Sequence, residues 1–232
     1  MALFVPGGVA AGGTISGKMG GVVFSRNRFG AYVRSRIVPV NPNTSFQQAA
    51  RSRVSVLTAR WLDTLTDVQR SEWETYGVAV PTVNRVGLTI NPTGLNRYLA
   101  VNALRLQAGQ AIEDDAPAIL NLAAYTLPVP TVDQTAQEVS VAFTNTDAWA
   151  TAVGGALMVW VSRGYNTTRN FFKGPFRFAG RVLGAVVPPT SPQQFALPFT
   201  VTADQKVGVR FNVFNDDNRA GSPQISQVVV IV

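Results

Sequence analysis

Lys206-Val207-Gly208-Val209-Arg210-Phe211-Asn212-Val213 sets large apolar residues at every second position and small or polar residues between them. That period of two is the signature of a β-strand with one face in a core and the other toward water. Val139, Val141 and Phe143 repeat the pattern. Ala156–Val161 and Val228–Val232 are continuous apolar runs, as expected of strands buried on both faces. Further strands near Phe176–Val187 and Phe195–Val201 bring the count to six or seven in about a hundred residues, which is β-sandwich spacing. Pro117, Pro128 and Pro130 mark a linker ahead of them. Residues 116–232 are therefore expected to form an antiparallel β-sandwich of the immunoglobulin or fibronectin III type.

Working back toward the N-terminus, the period changes to three and four. Phe46, Ala50, Val54, Leu57 and Trp61 mark one apolar helix face, with Asn43 or Thr44 as its cap. Thr66 with Gln69 reads as a capping box for a second helix through Tyr76, stopped by Gly77. A third helix is expected from Leu95 to Ala108, with Leu95, Leu99, Ala103 and Leu106 on one side and Gly109 as its stop. Residues 43–115 thus form a small helical region. Trp61, Trp73, Tyr76 and Tyr98 fall at core spacing there, and Trp160 lies in an apolar strand. Packing explains all five better than ligand stacking.

Residues 1–42 are rich in glycine and β-branched residues and bury too little to fold alone. Val22-Val23-Phe24 and Ala31–Ile37 flank Arg26-Asn27-Arg28 and suggest a hairpin. Its alternation places Tyr32, Arg34 and Arg36 on one face, and Val33 and Ile37 on the other. The expected fold class is α+β, mainly β: an extended basic N-terminal arm with a hairpin, a helical region and a β-sandwich.

Charge is distributed unevenly. Residues 1–60 carry Lys18, Arg26, Arg28, Arg34, Arg36, Arg51, Arg53 and Arg60 without one acid, a net +8, in a chain whose total is +7. Residues 61–125 are net −3 and residues 126–232 net +2. These eight cations are the candidate interaction residues, because an acid-free basic arm seeks nucleic acid or an acidic protein surface. Few aromatics interleave them, Phe29 and Tyr32 only, which favours a protein partner over stacked bases.

With no cysteine and no histidine, Cys/His zinc sites, thiol nucleophiles and Ser-His-Asp triads are unavailable. Gly12-Gly13-Thr14-Ile15-Ser16-Gly17-Lys18-Met19 imitates a phosphate-binding loop, but Met19 replaces the magnesium-ligating Ser or Thr, and Gly20-Gly21-Val22-Val23-Phe24 is poor helix material. Asp216–Gly221 echoes the start of a calcium loop, yet Ala220 stands at the fifth-ligand position and Gln227 where a bidentate Glu belongs; a hairpin loop fits better. Glu113-Asp114-Asp115 reads as a solvated acidic loop rather than a catalytic pair. No acid pair carries a glycosidase cleft signature. A non-enzymatic chain is expected, with no catalytic residue, cofactor or metal. No secretory signal or membrane span is recognisable either.

Three stretches carry a resemblance: Gly17–Arg28 (GKMGGVVFSRNR), Val38–Thr44 (VPVNPNT) and Leu65–Trp73 (LTDVQRSEW), with Asn170–Pro175 (NFFKGP) further on. On these the chain resembles a group of tailed-phage and prophage virion structural proteins. The resemblance implies a place in the virion, in capsid or tail, after synthesis in the host cytoplasm, and implies no activity or site residue. The expected role is a capsid-associated decoration or cement protein anchored by its basic arm, partnered by the major capsid protein or other virion proteins and by further copies of itself. A tail or neck component, a shell subunit, and a nucleic-acid-binding module using the N-terminal arginines are the alternatives.

Overall fold

A computed structural model describes residues 2–3, 16–27, 30–38, 40–84, 87–169, 171–172 and 174–230. The chain is a mixed α/β protein, 24% helical and 33% strand, with several antiparallel sheets and, among the described residues, no barrel. Among the described residues no helix is long and apolar enough to cross a membrane.

The N-terminal segment holds more strand than one hairpin. β1 (Ala2–Leu3), β2 (Gly17–Met19), β3 (Val22–Asn27) and β4 (Gly30–Ser35) form a four-stranded sheet in the order β1-β4-β3-β2. The expected hairpin is present, with Phe24 opposite Val33 and Asn27 opposite Gly30; Arg28 and Phe29 lie outside the described residues. Gly20, at φ 53°, makes the tight turn from β2 to β3. The described part of the phosphate-loop look-alike is thus strand and turn, whereas such a loop must open a helix. Gly12–Ile15 lie outside the described residues.

Helix α1 (Ser45–Asp63) starts at Thr44, whose side chain and that of Gln47 cap each other's backbone amides. Only its C-terminal half behaves as the spacing predicts. Leu57 and Trp61 are buried, but Phe46, Ala50 and Val54 are exposed. The reason is length. α1 has 19 residues and its packing partner α3 (Gly94–Gln107) has 14, so α1 outruns α3 by roughly 7 Å at 1.5 Å per residue. The Arg53 Nη1 to Gln107 Oε1 hydrogen bond, 3.0 Å, joins α1 to the last residue of α3, so Phe46 and Ala50 lie in the overhang beyond it, while Val54 is exposed although it lies on the near side of that bond.

Between them, α2 (Asp67–Ala79) has the expected Thr66/Gln69 capping box. It does not stop at Gly77. A Cβ there would lie 2.6 Å from the Pro92 carbonyl oxygen, and one on Gly94 would lie 2.6 Å from the Glu74 amide nitrogen. These two glycines are small so that α2 and the start of α3 can touch backbone to backbone. A short β5 (Thr82–Val83) and β6 (Thr89–Ile90) link the helices. Gly109, at φ 73°, ends α3 as expected. Leu57, Trp61, Leu65, Trp73, Tyr76, Val80, Tyr98 and Val101 form the helical core, with Tyr98 meeting Trp61 and Trp73 at ring separations of 5.4 and 5.6 Å.

The rest is β-rich: β7 (Val129–Asp133), β8 (Glu138–Ala142), a one-turn α4 (Ala148–Thr151), β9 (Ala156–Ser162), β10 (Tyr165–Asn166), β11 (Phe176–Leu183), β12 (Gln193–Ala196), β13 (Gln205–Phe214) and β14 (Gln224–Val229). A five-stranded sheet runs β10-β13-β9-β11 with β14 also on β13, and a three-stranded sheet runs β12-β8-β7. Val207, Val209, Phe211 and Val213 share one core with Leu157, Val159 and Val161, and with Val132, Val139 and Val141 of the smaller sheet. The alternating residues quoted at the outset are thus the inward face. Pro130, expected in a linker, lies in β7; it is tolerated because β7 is the outer strand of its sheet. Helices and sheet meet where Ala108 and Leu104 pack on Ala156, Met158 and Phe214.

Candidate attachment surface

The eight N-terminal cations do not form one set. Lys18 on β2, Arg26 on β3, Arg34 on β4 and Arg36 just beyond it are exposed, and none has a carboxylate partner among the described residues. Lys18 faces Val23, which faces Arg34, so both cations project from one face of the sheet, about 10 Å apart at the usual strand spacing. Arg26 projects from the opposite face with Phe24 and Val33. The Arg36 amide donates to the Gly21 carbonyl at 2.8 Å and extends the ladder by one residue. Arg28 lies outside the described residues.

The other three are used internally. Arg51 Nη2 donates to Asn41 Oδ1 at 2.8 Å and holds the incoming segment against α1. Arg53 bonds Gln107. Arg60 grips Asp114 with two parallel bonds, Nε to Oδ1 and Nη2 to Oδ2, both 2.7 Å. Such a planar, bidentate pair is the geometry for which arginine is suited. The Arg60 bond holds the Asp114 carboxyl below its ordinary pKa, and Asp114 in turn raises that of Arg60. Burial, and then the neighbouring Asp114, push the Tyr98 hydroxyl up. Arg60 therefore belongs to the helical core and not to an attaching arm.

The acidic run is not a solvated loop either. Asp114 also receives the Tyr98 hydroxyl at 3.2 Å, and its carbonyl receives the Trp73 indole N–H at 2.8 Å. Asn102 brackets the Glu113 backbone with two 2.9 Å bonds, and Gln69 Nε2 donates to Asp115 Oδ1 at 2.8 Å. Arg105, buried, links Glu113 to the Asn218 side chain of the body, and Asn218 donates to the Asp115 carbonyl. The run is a clasp that ties α1, α2 and α3 to the β13–β14 loop. That loop is the hairpin connection expected for Asp216–Gly221, and Asn218 takes its φ of 64°. Among the described residues no group of three metal-ligating side chains converges.

Stacked arginines on the β-rich body escape a reading of the sequence, Arg177 pairing with Val161 on the core-side face of the larger sheet and Arg210 with Trp160 on the other. Arg163 and Arg177 both stack on the Phe199 ring, at 5.4 and 4.5 Å, and Arg177 also approaches Phe46 of the α1 overhang at 5.9 Å. Arg169 lies 3.9 Å over Tyr165 and 5.1 Å from Phe171, while Arg210 lies 5.5 Å over Trp160. Cation–π contact orders these guanidiniums without neutralising them. The signal in the sequence was Phe176-Arg177-Phe178 and Arg169 close to Phe171-Phe172, which a count of net charge averages away. Comparison with known protein families, curated proteins and solved structures finds no match for this chain.

Proposed function

We propose that the chain is a non-enzymatic structural protein of a tailed-phage virion, a decoration or cement subunit held to the capsid by its basic N-terminal region. The observation that carries this reading is the standing of residues 16–40. None of the described side chains among them belongs to any of the three buried clusters, and Lys18, Arg26, Arg34 and Arg36 lack acidic partners among the described residues. A folded element whose described side chains lie outside those clusters and whose cations keep their charge is suited to hold a neighbour. The three-part division at residues 42 and 115 belongs to the same reading, as does an immunoglobulin- or fibronectin III-like sandwich for the two sheets that share one core. The resemblance of Gly17–Arg28 and Leu65–Trp73 to virion proteins supplies the setting. Major capsid protein, other virion proteins and further copies of the chain are the partners that setting offers.

The test is cosedimentation with capsids of the full chain and of a variant with Lys18, Arg26, Arg34 and Arg36 all changed to Ser. Loss of binding in the variant supports the proposal, and undiminished binding contradicts it. The stacked arginines around Phe199 favour nucleic acid as a second partner. That reading requires DNA affinity that falls steeply with salt. Copy number in the intact particle separates capsid decoration or shell from a tail or neck position.

A further inference from the structure

Along α2, Val68, Glu72 and Thr75 recur at i, i+4 and i+7 and are all exposed, so they form one stripe turned away from the helical core. Beside this stripe runs the chain after the clasp. Glu72, Thr75, Ala116, Pro117, Ala118 and Leu120 line a cavity of about 250 Å³. That is smaller than the roughly 300–1,000 Å³ of small-molecule sites and suits one or two aliphatic side chains. Leu120 of its lining and the adjoining Ile119 both stay exposed. Glu72 is its one charged residue and has no ion-pair partner among the described residues.

The complementary shape lies elsewhere in the same chain. Beyond Arg36, which adds one bond to the ladder, residues 37–38 and 40–44 are irregular up to α1. Ile37, Val38 and Val40 are 75, 86 and 84% exposed there, directly behind Arg34 and Arg36. We propose that the segment Arg34–Val40 of one copy docks on the α2 face of a second copy, with Ile37 or Val38 in the cavity and Arg36 against Glu72. This rests on the reading of the N-terminal region as the attachment element and names its partner as another copy of the chain. Charge supports the choice of occupant: Glu72 and Glu74 of α2 on one side, and Arg34 and Arg36 on the other, have no ion-pair partner among the described residues. A carboxylate in an apolar cavity repels a phosphate backbone and welcomes a guanidinium followed by aliphatic side chains. An exposed ion pair adds little by itself, so burial of the aliphatic groups holds the contact and the charge sets its register. The joined surfaces differ, so the contact is head-to-tail and builds a ring or an open row of subunits.

The test is analytical ultracentrifugation of the full chain over a concentration series at low and high salt. It compares the wild type with Arg36→Glu, Glu72→Arg, the two combined, and Ala118→Trp, which fills the cavity and leaves the charges in place. The wild type is expected to associate with concentration, and each single variant to weaken association by about tenfold or more. The paired swap returns it to within about threefold of the wild type, since the two sites act as one interaction. A wild type that stays monomeric, single variants that associate normally, or a swap that fails to rescue would each overturn the proposal. So would protection of Ala116–Leu120 from hydrogen exchange that does not change with concentration, which would place the segment on its own chain. If Arg36→Glu loses capsid binding while self-association is unchanged, the attachment reading stands and self-docking fails; if it alters neither, both fail.

Discussion

In the helical unit Arg60 closes on Asp114 with two 2.7 Å bonds and Arg105 is buried against Glu113 and Asn218, whereas in the N-terminal sheet Lys18, Arg34 and Arg36 are exposed with no carboxylate partner among the described residues. The same residue type serves two ends. Where an acid is delivered by a distant loop, arginine fixes tertiary structure; where none is delivered, its charge remains for another molecule. Removing core or clasp groups should therefore reduce stability, and removing sheet cations should reduce binding alone.

The largest loss is expected for Trp73→Ala. Trp73 is fully buried, touches Tyr76 and Tyr98, and bonds the Asp114 carbonyl, so about 3–5 kcal/mol should disappear in urea unfolding. Gly77→Ala comes next. The better helix propensity of alanine favours it by about 1 kcal/mol, but a Cβ 2.6 Å from the Pro92 oxygen forces α2 and α3 apart, and overpacking by backbone costs about 1–3 kcal/mol. The net expectation is destabilisation of up to about 2 kcal/mol, visible as a lower unfolding midpoint.

Asp114→Asn should cost about 1–2 kcal/mol, because a charge-assisted bond is lost and the partial exposure of Arg60 screens the pair. Its pH dependence is more diagnostic than its size. The folded carboxyl lies below its ordinary pKa, so its contribution is complete above the unfolded value of about 4 and is lost as pH falls through the folded value. Wild type and variant should accordingly differ at neutral pH and converge in acid, as read by thermal melts across that range. At the small end, Arg34→Ala and Arg36→Ala should each change stability by less than about 0.5 kcal/mol, while capsid binding or self-association falls.

Much of the fold is legible because its determinants are local. Thr66 with Gln69 and the stop at Gly109 act within one helical turn, and Val207, Val209, Phe211 and Val213 declare their face by alternation alone. What escaped depends on chain far away. Gly77 looks like a helix stop until Pro92 and Gly94 arrive against it. Phe46 and Ala50 fit the apolar stripe of α1 but overhang an α3 that is too short to cover them. Arg60 reads like Arg36 because its partner, Asp114, lies 54 residues on. Glu113-Asp114-Asp115 looks solvated for the same reason, although Arg60, Arg105, Asn102 and Gln69 converge on it from three helices. The basic sheet residues were legible as charge, and their lack of acidic partners among the described residues was not.

The most direct test of the division between a self-sufficient body and an attaching N-terminal region is to remove residues 1–42 and measure thermal unfolding and capsid binding on the same preparation. The shortened chain should melt within about 2 °C of the full chain, since the buried clusters are untouched, and should no longer bind. A large fall in melting temperature would show that the sheet belongs to the folded core, and binding equal to that of the full chain would show that attachment lies elsewhere; either result would contradict the account.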